Sequence, residues 1–349
     1  MVFSLLPNPD AIVTDPVPDA SRRTFLARLG TLFTIGLVSR SGPAAGWDEP
    51  PPLAAPVWAS HPARSPQPHY THSPGPRSQI EPRITNLNAA ILHYLGGLYR
   101  SGQLARNERT AWLVYDFTSG RYLVSINANL AYQSASMIKP FIALAFFNKV
   151  LEGKLRYTPY HRQRMEAMIQ YSDNHATNYF ISLLNRTSAR SGPAEAEHTL
   201  KRRYPGIFRQ TRIVERIPNG GRSYRNRASA TDYHRFLYAL WYDRLPYSME
   251  IKRLMGLPNR DRIYTNANGV ARQTQVLDKT GTTARLCGDM GILVAQGRNG
   301  RSYPYTFIGI IEKSRPAGNY AAWKDSRGDV IRNVSSMVYR HMRQMYDLV

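Results

Sequence analysis

The stretch SASMIKPFIALAFF, residues 134–147, combines an apolar run of helical length with two polar side chains at its start. Ser136 and Lys139 are three residues apart, so their side chains would share one face of a helix. Pro140 has no backbone N–H to donate and is tolerated only near a helix start. Ser136 is therefore expected in or beside the first turn, where free N–H groups and the helix dipole favour negative charge.

A serine beside a lysine can form a nucleophile with its own base. The hydroxyl is a poor nucleophile until a base takes its proton, and a lysine amine can do so when burial or neighbouring charge lowers its pKa. The apolar run around Lys139 predicts such burial. The S-x-x-K pattern is weak evidence by itself, because it occurs by chance in many chains.

Two further short motifs follow in the chain. An S-D-N motif at 172–174 precedes an amphipathic helical pattern, and a K-T-G motif at 279–281 ends a run of strand-forming residues. With Ser136 and Lys139 they complete the S-x-x-K, S-D-N and K-T-G set in order. From about residue 83 to the C-terminus, the sequence thus resembles the serine β-lactamase and penicillin-binding protein superfamily, most closely its class A β-lactamase-like branch.

The resemblance implies a role for each residue of the first two motifs. Ser136 is expected to be the acylated nucleophile and Lys139 its partner in proton transfer. Ser172 is expected to relay a proton to the leaving group, and Asn174 to hydrogen-bond the substrate amide. Asp173 is expected to brace the loop.

The same resemblance makes the K-T-G strand a substrate-binding element. Lys279 and Thr280 are expected to bind a substrate carboxylate, and Gly281 to let the strand lie close to the substrate. Thr282 is a further expected substrate-binding residue. Its backbone N–H and the backbone N–H of Ser136 would together form the oxyanion hole. Each position has an ordinary alternative, such as a helix cap or a solvated lysine, but the three motifs together favour the catalytic interpretation.

Glu215 is the candidate for activating a hydrolytic water. Class A β-lactamases use a loop glutamate for this purpose, and Glu215 with Asn219 keeps the Glu-to-Asn spacing of that loop, although Pro218 stands where leucine is usual. The alternative is that Glu215 pairs with a nearby arginine. Because Ser136 and Ser172 are closer in sequence than in a full class A enzyme, the helical part is expected to be abridged and the cleft more open.

Several neighbouring residues are interpreted as structural or left without a role. Cys287 is expected to be a small buried thiol, and His175 to lie at a helix start. Arg285 is a further candidate for binding a substrate carboxylate. Residues 224–226 lie in the same loop as Glu215 and receive no assignment.

Hydrophobic periodicity predicts a five-stranded antiparallel sheet flanked by helices, with a helical insertion. With the resemblance, this implies an α+β sandwich whose inserted all-helical subdomain is abridged. The sheet part is expected at 83–135 and 273–349, and the helical part at 136–272. The predicted elements are a helix at 84–99, a hairpin at 111–127, helices at 162–171, 174–184 and 230–241, strands at 274–281, 288–297 and 303–313, and a final helix from about 329.

The first 46 residues resemble a twin-arginine signal peptide, with SRRTFL at 21–26, an apolar run at 29–38 and small residues near a cleavage point. The alternative is a basic patch beside a small buried helix. The apolar run is shorter than the roughly 20 residues of a membrane span, so membrane contact is expected only if the leader is retained.

A proline-rich stretch at 47–82 separates this leader from the serine hydrolase domain predicted at 83–349. Nine of the 24 prolines lie between residues 50 and 76. Such a composition cannot bury a core and predicts an extended tether. The leader and tether together predict a periplasmic, extracytoplasmic location.

The chain is strongly basic, with 46 Lys and Arg against 24 Asp and Glu and a formal charge of +22. This charge favours an anionic partner such as a cell-wall polymer, whereas no nucleic-acid readout motif accompanies it. The single cysteine excludes an internal disulfide and a multi-cysteine metal site. Neither a metal nor another cofactor is expected.

The sequence therefore predicts an exported serine hydrolase that acts through an acyl-serine intermediate. Class A-like hydrolysis of a β-lactam or related amide is the first expectation. A penicillin-binding D,D-peptidase or an esterase acting on a small acyl substrate would use the same residues. A non-catalytic binder of anionic cell-wall polymer is the alternative from another class, although it would not need all of the motif side chains.

Overall fold

The computed structural model describes residues 84–218 and 224–349. The predicted leader and tether lie outside the described residues, as does Asn219. The strands are β1 (Glu108–Asp116), β2 (Arg121–Ile126), β3 (Ala131–Gln133), β4 (Arg227–Ser229), β5 (Gln275–Thr282), β6 (Leu286–Gln296) and β7 (Ser302–Lys313). The helices are α1 (Leu87–Arg100), α2 (Lys139–Leu151), α3 (Pro159–Ile169), α4 (Asn174–Asn185), α5 (Gly192–Arg203), α6 (Ala230–Trp241), α7 (Ser248–Met255) and α8 (Tyr320–Tyr346).

The central sheet has the strand order β2-β1-β7-β6-β5, and every neighbouring pair is antiparallel. Helices α1 and α8 cover one face, and α6 with the rest of the helical part covers the other. Strands β6 and β7 are buried on both faces, which explains their nearly continuous apolar sequences. The predicted five-stranded antiparallel sheet with flanking helices is confirmed.

Helix α2 is the centre of the helical part. Its residues from Lys139 to Lys149 are all buried, and it contacts α4 and α5 most extensively. Phe141 packs against Phe208, Tyr233 and Phe236 at ring-centroid distances of 4.8–5.3 Å. This aromatic packing fixes the helix that begins at the two candidate catalytic residues.

Helix α8 begins at Tyr320, nine residues before the predicted start near 329. Its first turns carry no regular apolar stripe, so periodicity alone missed them. The structure supplies a local cap from Asn319, whose side chain accepts a hydrogen bond from Ala322 N, and a long-range anchor at Glu108. Glu108 accepts hydrogen bonds from Trp323 and from Arg327, with which it forms a buried ion pair.

Helices α5 and α7 and the small β3–β4 ribbon were not predicted from the sequence. Charged residues occupy much of α5 and α7, and β3 and β4 have only three residues each, too few to show a period. Within the described residues, no helix combines the length and apolarity needed to cross a membrane.

Candidate active site

Ser136 lies in a single 3-10 turn, Ala135–Ile138, that leads directly into α2. Ser136 therefore belongs to the 3-10 turn, and Lys139 is the first residue of the α-helix. The backbone N–H of Lys139 donates to the Ser136 carbonyl, a 3-10-type hydrogen bond, so the two side chains project from the same face of the chain. Ala135 holds the turn in a left-handed conformation at φ 45°, which is uncommon for a residue other than glycine.

Two facing glycines allow the K-T-G strand to lie against this turn. Gly281 of β5 pairs with Gly288 of β6. A Cβ at Gly281 would lie 2.9 Å from Met137 Cγ and 3.0 Å from Ala135 Cβ, and one at Gly288 would lie 2.8 Å from Met137 Cε. Gly281 is therefore required because β5 packs against the nucleophile turn. This reason is additional to the one expected from the sequence, that the strand lies close to the substrate.

Gly281→Ala is expected to push the nucleophile turn away from β5 and to slow acylation of Ser136 about tenfold. Overpacking of this kind should also lower the free energy of unfolding by about 1–3 kcal/mol. Stopped-flow acylation and denaturant unfolding measure the two effects. Gly97→Ala is the matched control, because a Cβ there meets open space and should leave acylation unchanged. An unchanged rate in Gly281→Ala would show that the turn is not positioned by this contact.

Lys139 is fully buried, and its amine is held by the S-D-N motif. Its Nζ hydrogen-bonds the carbonyl of Ser172, donates to Asn174 Oδ1 at 2.9 Å and lies 3.2 Å from Ser172 Oγ. Among the described residues no carboxylate lies within ion-pair distance of it. Burial, together with the positive charge of Lys279, lowers the pKa of Lys139 to about 6, against a smaller opposing effect of Asp173. The amine is therefore largely neutral at pH 7 and can accept a proton.

Ser172 is placed by an unusual backbone conformation and by the helix that follows it. Its φ is 59°, in the left-handed region, so both its carbonyl and its hydroxyl face Lys139. Asp173 caps α4 by accepting a hydrogen bond from Ala176 N at 2.6 Å. The motif thus brings Ser172 and Asn174 to the lysine, with Asp173 bracing the loop.

Lys279 is also buried, and acidic side chains lie behind it on the sheet. Burial lowers the pKa of Lys279 to about 8, while the carboxyl groups of Asp278 and Asp289 oppose this change. Burial raises the pKa of both carboxyls, that of Asp289 to about 6. Repulsion adds to this effect, from Asp289 and Asp261 on Asp278 and from Asp261 on Asp289. Lys279 is therefore a cation near neutral pH that is close enough to Lys139 to lower the pKa of that amine.

Arg262 is a residue of the site that sequence analysis missed. It precedes β5, donates to Thr282 Oγ1 at 2.9 Å and to the Gly288 carbonyl at 3.2 Å, and its charge contributes to the lowered pKa of Lys279. It adds positive charge beside Thr282, on the strand expected to bind a carboxylate. An arginine in a loop distant from every motif gave no sequence signal.

Tyr224 and Gln133 hold the nucleophile turn from behind, and neither received a role from the sequence. The Tyr224 hydroxyl donates to the Ala135 carbonyl at 2.6 Å and lies 3.2 Å from Ser134 Oγ. Gln133 donates to the Tyr224 carbonyl at 3.1 Å and accepts from the Thr283 hydroxyl at 2.8 Å. These contacts connect the strained turn to the end of β5.

Glu215 is held by Arg225 in this structure. Its Oε1 accepts a hydrogen bond from Arg225 N at 2.6 Å, and its Oε2 forms an ion pair with Arg225 Nε at 2.8 Å. Asn226 fastens the same segment through hydrogen bonds to the backbone of Val214 and Glu215. The catalytic role of Glu215 remains a prediction, and this arrangement is the arginine pairing named as its alternative.

The other singled-out residues lie at the edge of the site or outside it. Cys287 is a buried free thiol on β6, and His175 is an exposed residue in the first turn of α4. Arg285 donates to the Lys313 carbonyl at 3.0 Å, on the turn after β5. Thr280 and Thr282 are half-buried on β5.

A family model described as the β-lactamase enzyme family matches residues 101–159 and 158–342. This match covers more than half of the chain. No curated protein sequence matches significantly.

Solved structures with the same fold include penicillin-binding and β-lactamase proteins. PBP-A is 23% identical over 76% of this chain and 98% of its own, with a TM-score of 0.58. A point mutant of PBP-A, solved as its acyl-enzyme complex with penicillin G, is 22% identical over the same shares, also with a TM-score of 0.58. A β-lactamase from Desulfarculus baarsii is 18% identical over 73% of this chain and 98% of its own, with a TM-score of 0.57.

Proposed function

Because the chain belongs to the β-lactamase enzyme family, we propose that it is an extracytoplasmic serine hydrolase that acylates Ser136 with a β-lactam or a cell-wall-type amide. The observation that carries the proposal is the state of Lys139. A fully buried lysine that has no acidic partner among the described residues is costly for stability, and its lowered pKa suits a general base at neutral pH. Acyl transfer to a serine is a reaction that uses such a base.

In the proposed acylation, Lys139 takes the proton from the Ser136 hydroxyl as its oxygen attacks the substrate carbonyl carbon. The carbonyl oxygen gains negative charge, which the backbone N–H groups of Ser136 and Thr282 would stabilise. The carbon–nitrogen bond then breaks, Ser172 transfers its proton to the leaving nitrogen, and the protonated amine of Lys139 returns a proton to Ser172. Ser172 is suited to this relay because its hydroxyl lies beside the Lys139 amine.

Substrate recognition in this proposal depends on positive charge at β5. Lys279 is close enough to Lys139 to lower its pKa, and Arg262 donates a hydrogen bond to Thr282. A substrate carboxylate placed at Thr280 and Thr282 would meet both cations. Asn174, which already accepts from Lys139, retains its amide nitrogen as a donor toward the substrate.

The rate of deacylation distinguishes a penicillin-binding enzyme, which releases the acyl group slowly, from a β-lactamase, which releases it quickly. The Arg225 pairing withdraws the Glu215 carboxylate from the role of general base, which favours a slow, penicillin-binding type of enzyme over a β-lactamase. A β-lactamase is the second candidate and requires that Glu215 leave Arg225 during turnover. Because Arg225 is largely exposed, this ion pair is only a weak restraint.

Intact-mass spectrometry with benzylpenicillin tests the proposal. A persistent adduct of one penicillin on Ser136 is expected, with Ser136→Ala as the control that forms none. Consumption of antibiotic with only a fleeting adduct would support the β-lactamase. No adduct and no turnover would remove β-lactams as substrates and leave an esterase, an amidase or the binder of anionic polymer as the alternatives.

If Arg225 keeps Glu215 from acting, Glu215→Gln is expected to change the lifetime of the acyl-enzyme less than twofold. Decay of the adduct mass after removal of free penicillin measures this lifetime. The matched variant Arg225→Gln frees one carboxylate oxygen and is expected to shorten it. A tenfold longer lifetime in Glu215→Gln would instead identify Glu215 as the hydrolytic base.

A further inference from the structure

A cavity of about 630 Å³ lies between the β1–β2 hairpin, α6 and the segment after α5. Its volume is in the range of small-molecule sites. Aromatic side chains form one wall: Tyr115 contacts Tyr122, His234 and Tyr238 at ring-centroid distances of 5.1, 4.8 and 5.7 Å. The Tyr122 side chain is largely exposed, with 55% of its surface accessible.

This wall is rich in hydroxyl groups. Neither the Tyr115 nor the Tyr122 hydroxyl hydrogen-bonds a residue in the described part of the chain, so both can bond a ligand. His234 uses Nδ1 toward the Thr306 hydroxyl at 3.2 Å, which leaves Nε2 for another partner. Burial lowers the pKa of His234 to about 4, so its ring is neutral. The wall therefore combines apolar ring surfaces with neutral donors and acceptors.

Two arginines line the same cavity. Arg244 lies over the rings of Tyr238 and Tyr242, at 5.6 and 5.2 Å from their centroids, and forms no ion pair with a described residue. Arg235 is 3.8 Å from the buried Asp232, too long for a strong ion pair. Guanidinium groups bind carboxylates through paired hydrogen bonds, and their charge disfavours a cationic ligand.

The cavity is separate from the candidate active site. Arg109 donates to Glu312, which also accepts a hydrogen bond from Gln133 N behind the nucleophile turn, and Tyr115 is six residues from Arg109 along β1. Six residues of strand span about 20 Å. None of the motif residues lines the cavity.

We propose that this aromatic cavity binds a sugar ring that bears a carboxylate. The tyrosine rings would pack on the apolar face of a pyranose, the free hydroxyls and His234 Nε2 would hydrogen-bond its hydroxyl groups, and Arg235 with Arg244 would bind the carboxylate. The Tyr115 ring is T-shaped to the rings of Tyr122 and Tyr238, so neither pair offers parallel faces between which a flat nucleotide base could stack. This arrangement favours a sugar over a nucleotide. The proposal does not depend on the chemistry at Ser136.

The test is calorimetric titration of the full chain with N-acetylmuramic acid, which carries a carboxylate, and with N-acetylglucosamine, which does not. We expect saturable binding of the acid, at least about tenfold tighter than the neutral sugar, and weakening as salt rises. Arg244→Gln and Tyr122→Ala should each lower this affinity about tenfold or more.

Arg121→Gln is the matched control, because it removes one exposed arginine from the same hairpin but not from the cavity wall. It should bind the acid as the wild type does. Equal losses in Arg121→Gln and Arg244→Gln, absence of binding by the wild type, or tighter binding of uridine monophosphate would each overturn the proposal. Acylation by benzylpenicillin should be unchanged in all three variants, which separates this site from the proposed catalytic one.

Discussion

Lys139→Met is expected to lower the rate of Ser136 acylation by about 10³-fold and, at the same time, to make the folded protein more stable. The loss follows from removal of the general base, whose contribution is typically 10²–10⁴-fold. The gain follows because methionine avoids the cost of burying a lysine amine, and we expect this to outweigh the hydrogen bonds that Ser172 and Asn174 lose. Acylation is measured by stopped-flow with benzylpenicillin, and stability by denaturant unfolding.

The stability gain should depend on pH in a defined direction. The pKa of Lys139 is about 6 in the folded protein, against 10.5 for a lysine exposed to water in the unfolded chain, so the unfolded chain binds more protons between these values. Wild-type stability therefore rises with pH through this window. Lys139→Met removes that dependence, so its advantage, about 1–2 kcal/mol near neutral pH, should be larger at pH 6 than at pH 9.

Lys149→Met provides the control, because it is the same substitution at a buried lysine of the same helix. Lys149 Nζ lies 2.7 Å from the carboxylate of Glu195, which is equally buried. Removing this lysine leaves Glu195 without its nearest cation and should cost about 3–5 kcal/mol, with little effect on acylation of the protein that remains folded. If Lys139→Met destabilised the protein as much as Lys149→Met, the amine of Lys139 would have a structural role and the proposal for it would fail.

The sequence predicted the central sheet and the helix of the nucleophile because both have strong local signals. The buried strands are long and rich in apolar residues, and Pro140 marks the helix start after Ser136. The K-T-G and S-D-N motifs could be placed because each borders a periodic element. Local order of this kind is visible in one sequence window without knowledge of what packs against it.

The supporting residues were not predictable because their roles come from contacts between distant segments. Tyr224 reaches the Ala135 carbonyl across 89 positions of sequence, and Arg262 reaches Thr282 from a loop with no motif. The Arg225 partner of Glu215 was one of several arginines nearby, and spacing could not choose between them. The same limit applies to the aromatic cavity, whose rings come from a hairpin and from α6.

Lys279→Met is expected to change the pH profile of acylation as well as its rate. In the wild type, Lys139 must be neutral and Lys279 charged, so a bell-shaped profile is expected, with an acid limb near pH 6 and an alkaline limb near pH 8. Removing Lys279 abolishes the alkaline limb. It also removes the cation that lowers the pKa of Lys139, so the acid limb should move to higher pH.

The rate should fall in the same variant, because the substrate carboxylate loses a charge-assisted hydrogen bond. We expect kcat/KM for benzylpenicillin acylation to drop between about tenfold and a hundredfold at pH 7. Lys279→Arg separates the two effects: a guanidinium keeps its charge throughout the range, so the acid limb should stay near pH 6 while the alkaline limb disappears. If both variants kept the bell-shaped pH profile of the wild type, its two limbs would belong to other groups. The proposed effect of Lys279 on the pKa of Lys139 would then be wrong.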